Sequence, residues 1–359
     1  MTRTSFGVLA LCVLAGTAAA QVTTQGGGAV LVFPRVIADG TWDTAIEIGN
    51  GANHLVHARC YYVDAQLANP QQPPGPANPP LWTQTDFEIW LTRLQPTHWT
   101  VSRGRLNDPS DQPCRVQDPP HDCDGAGFDP GLVPLTPSGF AGELRCIELD
   151  ASGAPWSGNA LEGVATLTHL GSGEVVKYSA FGIPGLETND ADGNLCLGGA
   201  QRSGCPLGAE YSACPLNWTV SHPSDFDDSA FDGPIRSTNL AVVPCASDFE
   251  NQVPTSVTLQ FKVTNELEQT FSASTTVTCW ADLELGKVNA VFQRDTLGGE
   301  WAQTQIRSAA STPHGFLVVQ QTKQETGLPH TLAASGLASP YNGAQPGGEF
   351  ITLPQETVR

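Results

Sequence analysis

The chain has 359 residues, with 36 Asp and Glu against 17 Lys and Arg, for a formal charge of −19. A surface this acidic repels nucleic acid and anionic lipid, so no nucleic-acid partner is expected. The length is ample for two domains, each with a core of its own.

The chain opens with Arg3, an apolar run from Phe6 to Leu14, and then Ala18, Ala19 and Ala20 ahead of Gln21. This order predicts a secretory signal peptide over residues 1–20, cut after Ala20. Its removal takes Arg3 and no acid, which moves the formal charge from −19 to −20. The apolar run is too short to cross a bilayer and nothing later approaches the span length, so no transmembrane segment is expected. Cys12 follows Leu11 rather than a small residue, which argues against a lipid anchor. The expected location is exported: periplasm, cell surface or medium.

After the leader, turn signals such as Asp39-Gly40 and Asn50-Gly51 separate short segments that alternate apolar and polar residues. Val56, Ala58, Cys60 and Tyr62 form one such segment, the pattern of a strand rather than a helix. Residues 21–186 are read as an N-terminal β-sandwich-like lobe, interrupted by a proline-rich extended loop at 69–80. Cys60 and Cys146 both fall in strand-like segments and are candidates for a core disulfide, while Cys114 and Cys123 would close a short loop. Trp82, Trp90 and Trp99 are candidates for stacking on sugar rings, with core packing as the alternative. Asp122, Asp124 and Asp129, in Asp-Cys-Asp-Gly-Ala-Gly-Phe-Asp, have the alternating oxygen ligands and glycine of the start of a calcium loop.

Residues 187–234 are rich in Gly, Asp and Cys and are read as a connecting segment between two lobes. Asp190, Asp192 and Asn194 form a second candidate calcium loop, and Asp225, Asp227, Asp228 and Asp232 a third acidic cluster. The bland reading of each Asp-Gly is a turn. Cys196, Cys205 and Cys214 are evenly spaced ahead of His222, but the chain has no Cys-x-x-Cys, which speaks against structural zinc. Nine cysteines follow the leader. Complete pairing within one chain is therefore impossible, and the unpaired thiol is expected among Cys196, Cys205 and Cys214.

Residues 235–359 are read as a C-terminal β-sandwich-like lobe. Val257, Leu259, Phe261 and Val263 alternate with Thr258, Gln260, Lys262 and Thr264, giving one buried and one wet face. Cys245 and Cys279 are the candidate core pair here. Ile46, Ile48, Asn50 and Cys60-Tyr61 are echoed by Phe261, Val263, Asn265 and Cys279-Trp280, a weak sign of duplication. The expected fold class is thus all-β: two β-sandwich-like lobes in tandem, disulfide-stapled.

Local signatures of hydrolases, zinc peptidases and nucleotide enzymes are missing from the sequence. The reading this favours is a secreted or cell-envelope structural or binding module without catalytic activity, with calcium as a candidate stabiliser. Self-association, or a cell-surface glycan or protein, would be its partner. The alternative is a secreted carbohydrate-active or other hydrolytic enzyme with carboxylates borne on loops. A cleft lined by Trp82, Trp90 or Trp99 with converging carboxylates would favour the enzyme, and a long unpaired edge strand would favour assembly.

Val32-Phe33-Pro34-Arg35-Val36 with Asp43 to Asn50, and Val243-Pro244-Cys245 through Thr275 to Trp280, resemble exported bacterial β-rich proteins that are themselves uncharacterised. The resemblance covers about half of the chain after the leader. It implies an envelope or secreted location and carries no activity or site residue.

Overall fold

The computed structural model describes residues 22–69, 71, 72, 78, 80–105, 130–186, 192–231, 233–309, 314–325, 331–337, 339, 340 and 349–354. In chain order the first strands are β1 Val30–Ala38, β2 Trp42–Asn50, β3 Val56–Asp64, β4 Thr83–Leu91, β5 Pro96–Thr100, β6 Phe140–Leu149, β7 Leu161–His169, β8 Val175–Ser179 and β9 Phe181–Ile183. They continue with β10 Asn194–Leu197, β11 Asn217–Pro223, β12 Phe226–Asp227, β13 Ile235–Pro244, β14 Ser247–Asp248, β15 Ser256–Asn265, β16 Thr270–Thr278 and β17 Ala281–Glu284. The last are β18 Trp301–Ser308, β19 Phe316–Glu325, β20 Thr331–Leu337, β21 Ser339–Pro340 and β22 Glu349–Thr352. Among the described residues helix is limited to single turns, α1 Leu285–Val288, α2 Arg294–Leu297 and two 3-10 turns. None of these helices is long and apolar enough to cross a membrane.

The all-β expectation stands, but the two tandem sandwich lobes are corrected. The strands form five sheets, in the orders β4-β3-β6-β1-β9, β5-β2-β7-β8, β10-β22-β14, β16-β15-β18-β11-β21 and β12-β13-β19-β20, with β17 added beside β13. That is the sheet count of a five-bladed propeller, although strands within a sheet come from distant parts of the chain, as where β1 lies between β6 and β9. Residues within 187–234 supply β10, β11 and β12 to three of the five sheets.

The physical reason is that the sheet built on β1 is buried on both faces. Every residue of β1 is buried, Arg35 included, which is why its sequence shows no alternation of apolar and polar residues. One face carries Leu31, Phe33, Cys60 and Leu144 against the sheet of β2 and β7. The other face carries Arg145 and Tyr61 against residues of the second half. Arg145, fully buried, donates to Glu143 Oε2 at 2.9 Å and to the carbonyls of Pro244 and Cys245. Tyr61 stacks on Phe249 with centroids 4.6 Å apart, and Gln84 Nε2 donates to the Phe249 carbonyl at 3.0 Å. Trp280 Nε1 donates to the Pro34 carbonyl at 2.7 Å, and Arg35 pairs with Asp282 at 2.9 Å. Buried apolar side chains form one continuous cluster from Val22 to Leu353.

Cys60 and Cys146 are directly opposite in the β3–β6 register and are bonded, closing a loop of 86 residues. A constraint of that length is worth about 4 to 5 kcal/mol in the chain-entropy account. The remaining cysteine expectations need correction. Cys196 is bonded to Cys205 and Cys214 to Cys245, and Cys279 is the free cysteine among the described residues. Cys214 and Cys245 reach each other around Gly315, where a Cβ would come within 2.5 Å of the Cys214 Cβ. Cys279 instead turns at φ +67° ahead of β17, its amide donating to the Thr255 carbonyl, and its thiol is buried. Burial, with the charge of Glu143 adding to it, pushes that thiol well up. Cys114 and Cys123 lie outside the described residues.

Candidate functional site

The three candidate tryptophans do not converge. Trp82 is buried, at φ +49°, parallel to Phe249 with centroids 6.5 Å apart. Trp99 is buried within the first half, donating from Nε1 to the Tyr62 hydroxyl at 2.5 Å and standing edge-on to Phe87. Trp90 is half-buried and stacks on His57 at 4.5 Å, while His57 Nε2 lies 3.1 Å from Glu88 Oε2. The imidazole and the Arg59 guanidinium beside Glu88 pull its carboxyl down to about 2. Along β4 Trp90 lies on the face opposite Phe87, Ile89 and Leu91, and the side chain it covers is a histidine.

Of the candidate calcium ligands, Asp122, Asp124, Asp129 and Asp190 lie outside the described residues. Asp192 Oδ1 accepts the Asn194 amide proton at 2.7 Å, an Asx turn, and Asn194 Oδ1 accepts from the Thr352 hydroxyl at 3.1 Å. Among the described residues no group of three or more His, Cys, Asp or Glu is placed to hold a metal ion. His222 is buried between the Pro223 carbonyl and the Thr304 hydroxyl, each at 2.8 Å, away from the bonded cysteines that precede it.

The described part of the third acidic cluster borders a cleft of about 610 Å³. Its floor is Asp225, which is 5 % exposed. Asp225 is fixed by its backbone, which donates to the Phe292 carbonyl and accepts from the Arg294 amide. Its Oδ2 accepts the Gly286 amide proton at 2.8 Å, and its Oδ1 is buried without a hydrogen-bond partner. Burial therefore pushes its carboxyl up to about 7, against the pull of the Gly286 amide. The next residue, Phe226, lies between Arg236 at 4.9 Å and Arg294 at 4.2 Å. Both arginines are committed, Arg294 to both oxygens of Asp228 at 3.0 Å and Arg236 to Glu300 at 3.1 Å. Such a wall holds a shape rather than offering free charge.

A second feature is the sheet that ends in β16. β15 and β16 pair from Ser256 opposite Thr278 through Thr264 opposite Thr270, and among the described residues no strand pairs with β16 on its other side. Its sequence, Thr-Phe-Ser-Ala-Ser-Thr-Thr-Val-Thr, contains neither a charge nor a proline. Edge strands are ordinarily guarded by those residues or by a bulge, and the β15–β16 register runs without a shift. Phe271 and Ala273 pack inward on the core, while the even-numbered positions point outward as Ser and Thr. Hydroxyl pairs already bridge the two strands, Ser256 with Thr278 at 2.7 Å and Thr258 with Thr276 at 2.9 Å. The sequence displayed the β15 alternation plainly, but nothing in it said which strand would lie outermost.

Comparison with models of known protein families and with curated proteins finds no match to the chain.

Proposed function

We propose that this chain is a secreted or cell-envelope structural and binding module without catalytic activity, and that it works by β-strand addition at β16, the partner being a second copy of itself. The observation that carries this reading is the bare nine-residue edge of β16. Unpaired amides and carbonyls along such an edge find partners in another strand. A second β16 fits because an antiparallel two-fold pairing centred on Ser274 sets Ser272 of one copy against Thr276 of the other, hydroxyl to hydroxyl, with no charge opposed. The leader pattern and the disulfides Cys60–Cys146, Cys196–Cys205 and Cys214–Cys245 support an oxidising location.

Sedimentation velocity over a wide concentration range tests the reading. The wild-type chain is expected to dimerise with rising concentration, and the double variant Ser272→Lys, Thr276→Lys, which sets lysine against lysine in that pairing, is expected to stay monomeric. A wild type that remains monomeric into the millimolar range would sink it, as would a variant that dimerises equally well.

One observation favours a second reading, hydrolysis by loop-borne carboxylates. Asp225, held near pKa 7 in a cleft with Asp227 and Asp228, keeps a proton at the pH where a general acid needs one. Release of reducing sugar from a polysaccharide panel, lost in Asp225→Asn, would favour the enzyme over the module.

A further inference from the structure

The broad outer face of the β16 sheet has a charge pattern at odds with the rest of the molecule. Outward positions on β16, β15, β18 and β11 alternate with buried ones. They are Ser, Thr, Asn, Gln, a tryptophan at the margin, one Lys and one Arg, and none is Asp or Glu. In a chain with 36 acids against 17 bases, this face is four strands wide and carries two bases and no acid.

Its two cations are Lys262 and Arg307. Arg307 pairs in register with Gln260, and Lys262 with Gln305. The two are therefore diagonal neighbours on adjacent strands, roughly 7 to 8 Å apart at their backbones. Both are exposed, and neither forms an ion pair with any described residue. Most other described lysines and arginines rest against carboxylates, as Arg236 does on Glu300 and Lys177 on Glu47. Lys262 and Arg307 border a shallow concavity of about 670 Å³, together with Gln260, Ser272 and Ser274.

We propose that this face binds a carboxylated polysaccharide, its uronate groups set on Lys262 and Arg307 and its hydroxyls on the surrounding Ser, Thr and Gln side chains. Charge complementarity selects the class. Elsewhere the protein's net negative charge repels a polyanion, so binding concentrates where acids are missing and cations are free. Outward side chains repeat about every 6.6 to 6.8 Å along each strand, so hydrogen-bonding groups continue on either side of the cations and suit a polymer better than a lone anion. The arginine fork takes a carboxylate through two parallel bonds, and Lys262 supplies a point charge beside it. This site uses side chains on the sheet face, whereas dimerisation uses the backbone edge of β16, so the two proposals stand or fall separately.

The test is binding of polygalacturonate by calorimetry at low salt to the full chain and to Lys262→Gln, Arg307→Gln, with methyl-esterified polygalacturonate and dextran sulfate as companion ligands. Both substitutions are at exposed positions, and matching thermal melts would show that the fold is intact. We expect at least tenfold weaker binding by the double variant, equally weak binding of the esterified polymer to wild type, and loss of affinity as salt rises. The proposal is overturned by absent wild-type binding, by a double variant that binds as well as wild type, or by an esterified polymer that binds as well as the acid. Binding of dextran sulfate alone would also overturn it, because the site would then not be one for carboxylates.

Discussion

Asp225 and Gly286 meet through a single hydrogen bond, the amide of Gly286 donating to Oδ2 at 2.8 Å while Oδ1 of the same carboxyl is buried without a partner. The folded state therefore favours the protonated acid, with a pKa pushed up to about 7. A raised folded-state value means that the native chain binds more protons than the unfolded one between the ordinary carboxylate range and about 7. The stabilisation is complete below that range and is lost as pH rises through about 7. Thermal melts from about pH 4 to about pH 8 should show Asp225→Asn gaining on wild type as pH rises, by an amount on the order of a few kcal/mol. Parallel curves for the two proteins would refute the burial account of Asp225.

Glu148 shows the same sign. Burial pushes it up to about 7, although Oε2 accepts the Ala160 amide proton at 3.1 Å. Glu148→Gln should likewise flatten the decline in stability toward neutral pH. Because Glu148 lies on β6 and Asp225 just before β12, with no hydrogen-bond partner in common, their effects should add in the double variant. Glu88 acts in the opposite direction between about 2 and its ordinary value of 4.5, at the acid end of the scan.

Arg145 is predicted to be among the least replaceable side chains. Arg145→Ala would strand Glu143, which is fully buried, and free two carbonyls of Pro244 and Cys245. Leaving one member of a buried pair costs about 3 to 5 kcal/mol. Arg145→Met with Glu143→Gln should cost less than Arg145→Ala alone, because no uncompensated charge remains. Urea denaturation of the three variants measures the difference, and a double variant less stable than Arg145→Ala would contradict it.

Cys279 should resist alkylation by iodoacetamide in the native state and react once the chain is unfolded without reductant. Its thiol is buried and its pKa is raised, so both access and thiolate fraction are low. Peptide mapping after the two treatments decides. Native labelling of Cys279, or labelling of Cys196, Cys205 or Cys214 in the unfolded oxidised chain, would break the pairing described here.

Strand alternation was legible wherever one face met water, as in β15, because burial on one side imposes a period of two. Cys60 and Cys146 could be matched because both lay in segments that read as strands from their sequence. The pairing of Cys245 was not legible: the echo between Cys60-Tyr61 and Cys279-Trp280 pointed to Cys279, whereas the outcome turned on Gly315, which leaves room for Cys214. Segments buried on both faces, such as β1, lose the alternation by which sheets are assigned. The edge position of β16 and the acid-free face beside it depend on strand order, which arises from contacts between distant residues. Alternation along β4 places Trp90 on the face opposite Phe87, Ile89 and Leu91 but does not say what covers that face, and only residue type marked Trp82 and Trp99.

β22 is the strand nearest the end of the described chain, and it pairs with both β10 and β14, some 150 and 100 residues upstream. It also delivers Glu349 to the His314 ring and to the Gly315 amide. A chain emerging from the ribosome in N-to-C order cannot complete that small sheet, or cover Gly315 and the Cys214–Cys245 bond, until residues 349–352 have been made. Folding of this protein therefore has a late closing step, and until it occurs Cys196, Cys205, Cys214 and Cys245 remain open to mispairing.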